Sequence, residues 1–102
     1  MQVRRQLTAQ LSSGMANQES IANELHMSLR TLQRKLESEG TTFKRLLEET
    51  RKELAIQYMA ESHHSVNEIT YLLGFSEASN FSRAFKRWTS ESPTDFRARL
   101  AG

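Results

Sequence analysis

Residues 21–36 read "IANELHMSLRTLQRKL" and residues 69–85 read "ITYLLGFSEASNFSRAF". Ile21, Leu25, Met27 and Ser28 match Ile69, Leu73, Phe75 and Ser76 at a spacing of 48. Leu32, Arg34 and Leu36 match Phe81, Arg83 and Phe85 at a spacing of 49. One extra residue therefore enters the second copy near the start of its later segment. Each copy holds apolar residues at helical spacing on either side of a short interruption, so each is predicted to be helix, turn, helix. Each interruption contains a residue suited to positive φ, His26 in the first copy and Gly74 in the second. Each later helix is expected to start at its serine, Ser28 or Ser76.

Working outward, Val3, Leu7 and Leu11 form a stripe four apart on a first helix, which Ser12-Ser13-Gly14 ends. Asn17 is placed to cap the second helix and Ser28 the third, in which Leu29, Leu32 and Leu36 turn inward and Gly40 marks the stop. Thr42 is placed to cap a long fourth helix over residues 43–61, with Leu46, Leu47, Leu54, Tyr58 and Met59 among its apolar residues. Lys44–Glu48 and Glu48–Lys52 are opposite charges four apart on it. Ser65 caps a fifth helix. The sixth holds Phe81, Ala84, Phe85 and Trp88 on one side. Pro93, at a first helical position, opens a seventh that runs through Phe96 and Leu100. No strand-like alternation occurs, and the chain has one Pro and four Gly in 102 residues. The expected fold is all-α: two helix-turn-helix subdomains (residues 1–42 and 62–102) joined by a central helix (residues 43–61), with about seven helices in one compact unit.

The totals narrow the function. There is no Cys, which removes disulfides and thiolate metal sites. No apolar run approaches the roughly 20 residues that span a membrane, and no signal-peptide pattern opens the chain. The 14 Lys and Arg against 12 Asp and Glu give a net charge of +2 that is unevenly spread. Residues 1–36 hold five cations and two anions, residues 37–77 four and eight, and residues 78–102 five and two. Adjacent His63-His64 lack a third ligand at metal spacing, and Asp95 is the sole Asp, with no nucleophile motif beside it. Glycines are isolated, so no phosphate loop is present. Neither an enzyme nor a cofactor site is expected.

The outward face of each later helix is more specific. In the third helix Arg30, Thr31, Arg34 and Ser38 point away from the leucines. In the sixth Ser79, Arg83 and Lys86 point away from the aromatics. A duplex major groove accepts such a face: Arg bonds guanine O6 and N7 bidentately, and short hydroxyl side chains let the backbone approach phosphates. The competing reading is a helical protein-interaction module whose basic faces are merely solvated. Structured RNA is the weaker alternative, because its major groove is too narrow for a helix. Trp88 lies on the apolar stripe, which favours core packing over stacking on a single-stranded base.

Residues 69–97, "ITYLLGFSEASNFSRAFKRWTSESPTDFR", resemble the signature of the AraC/XylS transcription regulators. Residues 20–55 resemble the rest of that family's DNA-binding domain. The resemblance implies two helix-turn-helix subdomains on one long helix, each placing a recognition helix in a major groove. It carries base-contacting roles onto Arg30, Thr31, Gln33 and Arg34, and onto Ala78, Ser79, Asn80 and Arg83. Ser28, Lys86 and Arg87 complete the expected DNA-binding set. Double-stranded DNA is the implied partner, with RNA polymerase a further one, in the cytoplasm at the nucleoid and away from membranes. Family members often carry an amino-terminal sensing or dimerising domain, so the chain is either a short stand-alone regulator or the DNA-binding part of a longer one. Ser90 stands where the family usually has Gly, and Thr70 where it usually has Ala. Ala78 has no hydrogen-bonding side chain and can meet a base only by apolar contact.

Overall fold

The computed structural model describes residues 2–13, 17–61 and 63–101. Among them are seven α-helices and no strand. These are α1 (Gln2–Gln10), α2 (Gln18–Glu24), α3 (Leu29–Ser38), α4 (Phe43–Glu61), α5 (Val66–Leu72), α6 (Ala78–Thr89) and α7 (Pro93–Ala101), with a 3-10 turn at Leu11–Ser13. Gly14, expected to end the first helix, lies outside the described residues. The contacts divide the chain into two units, Met1–Thr50 and Arg51–Gly102, and the division falls inside α4.

In the first unit the stripe of Val3, Leu7 and Leu11 is fully buried. Val3 and Leu7 share a core with Ile21, Ala22, Leu32, Leu36 and Leu46. Leu29 departs from its expected inward place and is 37% exposed. It is the first residue of α3, and helical side chains lean toward the amino terminus, so it projects past the end of the helix rather than over the core. In the second unit Ala55, Met59, Ile69, Leu73, Phe81, Phe85 and Phe96 form the core, with Leu54, Tyr58, Val66, Phe75 and Trp88 packed against it. Three ring pairs, Phe75–Phe81, Phe81–Phe85 and Phe85–Phe96, lie 5.8, 5.7 and 5.2 Å apart, within the range where aromatic pairs attract. Leu100, on the last turn of α7, is 48% exposed.

The helix starts follow local chemistry. Asn17 Oδ1 accepts the Ser20 amide at 2.8 Å, Ser28 Oγ the Thr31 amide at 3.1 Å, and Thr42 Oγ1 the Arg45 amide at 3.2 Å. Ser65 and Glu68 form a reciprocal capping box. The Ser65 backbone N–H, together with its hydroxyl and His64, holds the Glu68 carboxyl below the usual range. Ser92 Oγ accepts the Asp95 amide ahead of Pro93. Helix α6 departs from expectation. It begins at Ala78, and Glu77, not Ser76, is its N-cap, with no side-chain cap bond. The extra residue of the second copy sits between Ser76 and the helix, so the serine falls one position too early to reach an orphan amide. At the other end of α4, Arg97 of α7 donates to the Tyr58, Met59 and His64 carbonyls at 3.4, 3.4 and 2.6 Å. A cation there also opposes the negative end of the helix dipole.

The two family departures have physical outcomes. Thr70 is fully buried, and its Oγ1 donates to the Val66 carbonyl at 2.8 Å, so the hydroxyl enters the core satisfied. Ser90 ends α6 in the left-handed region, at φ 69 and ψ 7. That conformation costs a side-chain-bearing residue roughly 1–2 kcal/mol, while Gly adds about 0.4–1 kcal/mol of unfolded-state entropy. Ser90→Gly is therefore expected to stabilise the chain by a net ~0.5–1 kcal/mol, read as a raised urea midpoint. An unchanged or lowered midpoint contradicts it.

Candidate nucleic-acid interface

The two interruptions are built alike. In the first copy the His26 amide donates to the Asn23 carbonyl and the Met27 amide to Ala22, at 3.1 and 3.0 Å. In the second the Gly74 amide donates to Tyr71 and the Phe75 amide to Thr70, both at 3.0 Å. These paired bonds are the Schellman arrangement, which needs a left-handed residue just past the helix. His26 has φ 57 and Gly74 φ 82, as the sequence pattern requires. Each turn hands the chain to the helix that carries the candidate residues.

On α3, Leu32 and Leu36 are buried, whereas Arg30, Thr31, Gln33 and Arg34 are exposed together with Ser28 just before the helix. The helix holds three cations and one carboxylate. Ser28 does two jobs locally: its Oγ takes the Thr31 amide and donates to Thr31 Oγ1 at 2.9 Å. Gln33 Nε2 lies 3.4 Å from Gln18 Oε1 of α2, a long contact that leaves the amide easy to redirect.

On α6, Phe81, Ala84 and Phe85 are buried, and Trp88 is half-buried with its ring 6.4 Å from that of Phe75. Trp88 thus packs against the core as expected. Ser79, Arg83, Lys86 and Arg87 are exposed and Asn80 is half-exposed. At roughly 100° per residue these five fall within an arc of about 120° opposite Phe81 and Phe85. Ala78 falls outside that arc, on the Phe85 side of the helix, and is half-buried. The helix carries three cations and no carboxylate. Asn80 Oδ1 accepts from Arg83 Nη2 at 2.5 Å, which ties the two into one polar unit and limits the arc that the guanidinium sweeps. Arg87 also lies over the Trp88 ring, 5.9 Å from its centroid.

Pattern reading passed over Arg51. Its Nε donates to the Leu73 carbonyl at 2.9 Å and its Nη2 to the Gly74 carbonyl at 3.3 Å, and its guanidinium lies 4.5 Å from the Phe75 ring centroid. Burial lowers its pKa from the usual guanidinium value. The signal was present: Leu47, Arg51, Leu54 and Tyr58 share one helical stripe, so a cation stands in an apolar row.

A family model described as a helix-turn-helix domain matches residues 21–99. The chain is 48% identical over 79 residues to the ornithine utilization regulator of Pseudomonas aeruginosa, covering 78% of this chain and 23% of that protein. It thus spans about a quarter of that curated relative's length. Among solved structures, a DNA-binding transcriptional dual regulator from Escherichia coli K-12 superposes with a TM-score of 0.80 at 27% identity, over 99% of this chain and 94% of that one. A transcriptional regulator from Chromobacterium violaceum, described as an AraC-type DNA-binding domain-containing protein, gives 0.78 at 25% identity, over 98% and 89%. The match over residues 21–99 takes in both copies of the repeat, and with it the chain belongs to the AraC/XylS family of helix-turn-helix transcription regulators.

Proposed function

We propose that this chain binds double-stranded DNA sequence-specifically in transcription regulation, laying α3 and α6 into successive major grooves. One observation carries the reading. The later helix of each copy buries one side and exposes short polar residues with an arginine in the matching slot, Arg34 on α3 and Arg83 on α6. Arg30, Arg34 and Arg83 are assigned to base edges, Thr31, Gln33, Ser79 and Asn80 to neighbouring bases, and Ala78 to apolar contact. Ser28, Lys86 and Arg87 are assigned to the phosphate backbone. The subdomain division at residues 42 and 61 belongs to the same reading, with α4 as the shared strut. So do contact with RNA polymerase, an amino-terminal sensing or dimerising domain in the complete protein, and residence at the nucleoid. No helix among the described residues is long and apolar enough to cross a membrane.

Replacing Arg34 or Arg83 by Ala is expected to weaken binding to the best site by roughly 1–3 kcal/mol and to random duplex by much less. Titration of both duplexes by fluorescence anisotropy reads the difference. Equal weakening on the two would make the residue a phosphate contact. The rival protein-interaction reading is separated by a DNA column: retention that falls steeply with salt reflects counterion release, which a contact between neutral protein surfaces lacks.

A further inference from the structure

The Schellman bonds that close α5 use the Thr70 and Tyr71 carbonyls. Two carbonyls further along the turn, those of Leu73 and Gly74, are the ones that accept from Arg51. The guanidinium also covers the Phe75 ring, so one side chain of α4 engages three consecutive residues of the turn. The first copy is held differently. Counting 48 residues back from Arg51 gives Val3, which is fully buried in the core against which Leu25 and Met27 pack. There the turn rests on aliphatic contact, and its left-handed residue is His26. In the second copy that residue is Gly74, whose backbone has more freedom, so the turn needs an outside restraint.

We propose that Arg51 is a positioning residue for DNA reading: by clamping the Leu73–Phe75 turn it sets the direction in which α6 leaves α5, and so where Ser79, Asn80 and Arg83 meet the bases. This role rests on the duplex-binding function proposed above. A planar fork suits it, because its donors reach two adjacent carbonyls while its face stacks on a ring. A lysine ammonium is a point donor and cannot do all three at once.

The test uses the full chain carrying Arg51→Lys or Arg51→Met, with two readouts. Without DNA, amide exchange at Gly74 and Phe75 should quicken about tenfold or more in Arg51→Met, as expected for losing charge-assisted bonds. His26 and Met27 in the first copy should stay unchanged. With DNA, discrimination among base changes in the half-site read by α6 should fall roughly fivefold or more, and discrimination in the α3 half-site should hold. Arg51→Lys should lie between the wild type and Arg51→Met in both readouts. Folded variants with unchanged exchange and unchanged discrimination overturn the proposal. So does equal loss at both half-sites, and so does failure of both variants to fold, since Arg51 is then a stability residue alone. If the unsubstituted chain discriminates nowhere, duplex reading itself fails, and the exchange result still shows whether Arg51 clamps the turn.

Discussion

Replacing Ala55 by proline is expected to unfold the chain or uncouple its halves, at a cost of at least ~3 kcal/mol. Ala55 is fully buried and lies well inside α4, which runs Phe43–Glu61. Proline there removes the amide that bonds to the carbonyl four residues earlier, which is Arg51, and its ring clashes with that carbonyl. The ring also enters a filled core, where added volume carries its own penalty. Small domains hold only about 5–15 kcal/mol in all, so the loss is a large fraction of the total. Urea melts followed by circular dichroism read it directly. A midpoint and DNA affinity equal to the parent's would mean that residue 55 is not within a continuous helix.

The second large effect is on the DNA side. Once the binding site is known from random-duplex selection, five base pairs inserted between its half-sites should abolish the contribution of one of them. The insertion turns the second half-site by about half a turn and moves it roughly 17 Å along the axis. As the strut proposed above, α4, with 19 residues and a length of about 28 Å, would follow neither change. Ten inserted pairs should fare no better, since the phase returns while the distance does not. The half-sites should be unlike in sequence, because Arg30, Thr31 and Gln33 offer different groups from Ala78, Ser79 and Asn80. Mobility shifts on purified duplexes measure this. Full affinity after either insertion would leave a single copy reading DNA.

Much of this architecture was legible in the sequence because it is local. A capping Asn17, Ser28, Thr42 or Ser65 acts on an amide three residues away, and a Schellman turn spans six residues. The left-handed places of His26 and Gly74 could be read for that reason. The faces of α3 and α6 follow from helical period, which is why Arg30, Thr31, Arg34 and Ser38, and Ser79, Arg83 and Lys86, read as outward, are exposed, while Ala78, taken from the resemblance, is half-buried. The misses have two causes. Ser76 and Leu29 are end effects, in which a shift of one residue decides whether a hydroxyl caps or a leucine covers the core. Arg51 and Arg97 are distance effects. The acceptors of Arg51 lie 22 and 23 residues away, and those of Arg97 lie 33 to 39 residues away. No periodic pattern joins residues so far apart, although an arginine in an apolar stripe did mark that something polar must lie opposite.

The two cores are built from different materials. Seven of the eight aromatic residues, including the sole tryptophan Trp88 and both tyrosines, Tyr58 and Tyr71, lie in the Arg51–Gly102 unit, and only Phe43 lies in the other. The ultraviolet spectroscopy of this chain therefore reports almost wholly on one unit. Tryptophan emission and near-ultraviolet dichroism follow the second copy, while far-ultraviolet dichroism follows the helices of both. Coincident emission and far-ultraviolet transitions would show the two copies melting as one cooperative body. An emission change displaced along the urea axis would reveal each copy's stability separately, with no label added and no residue changed.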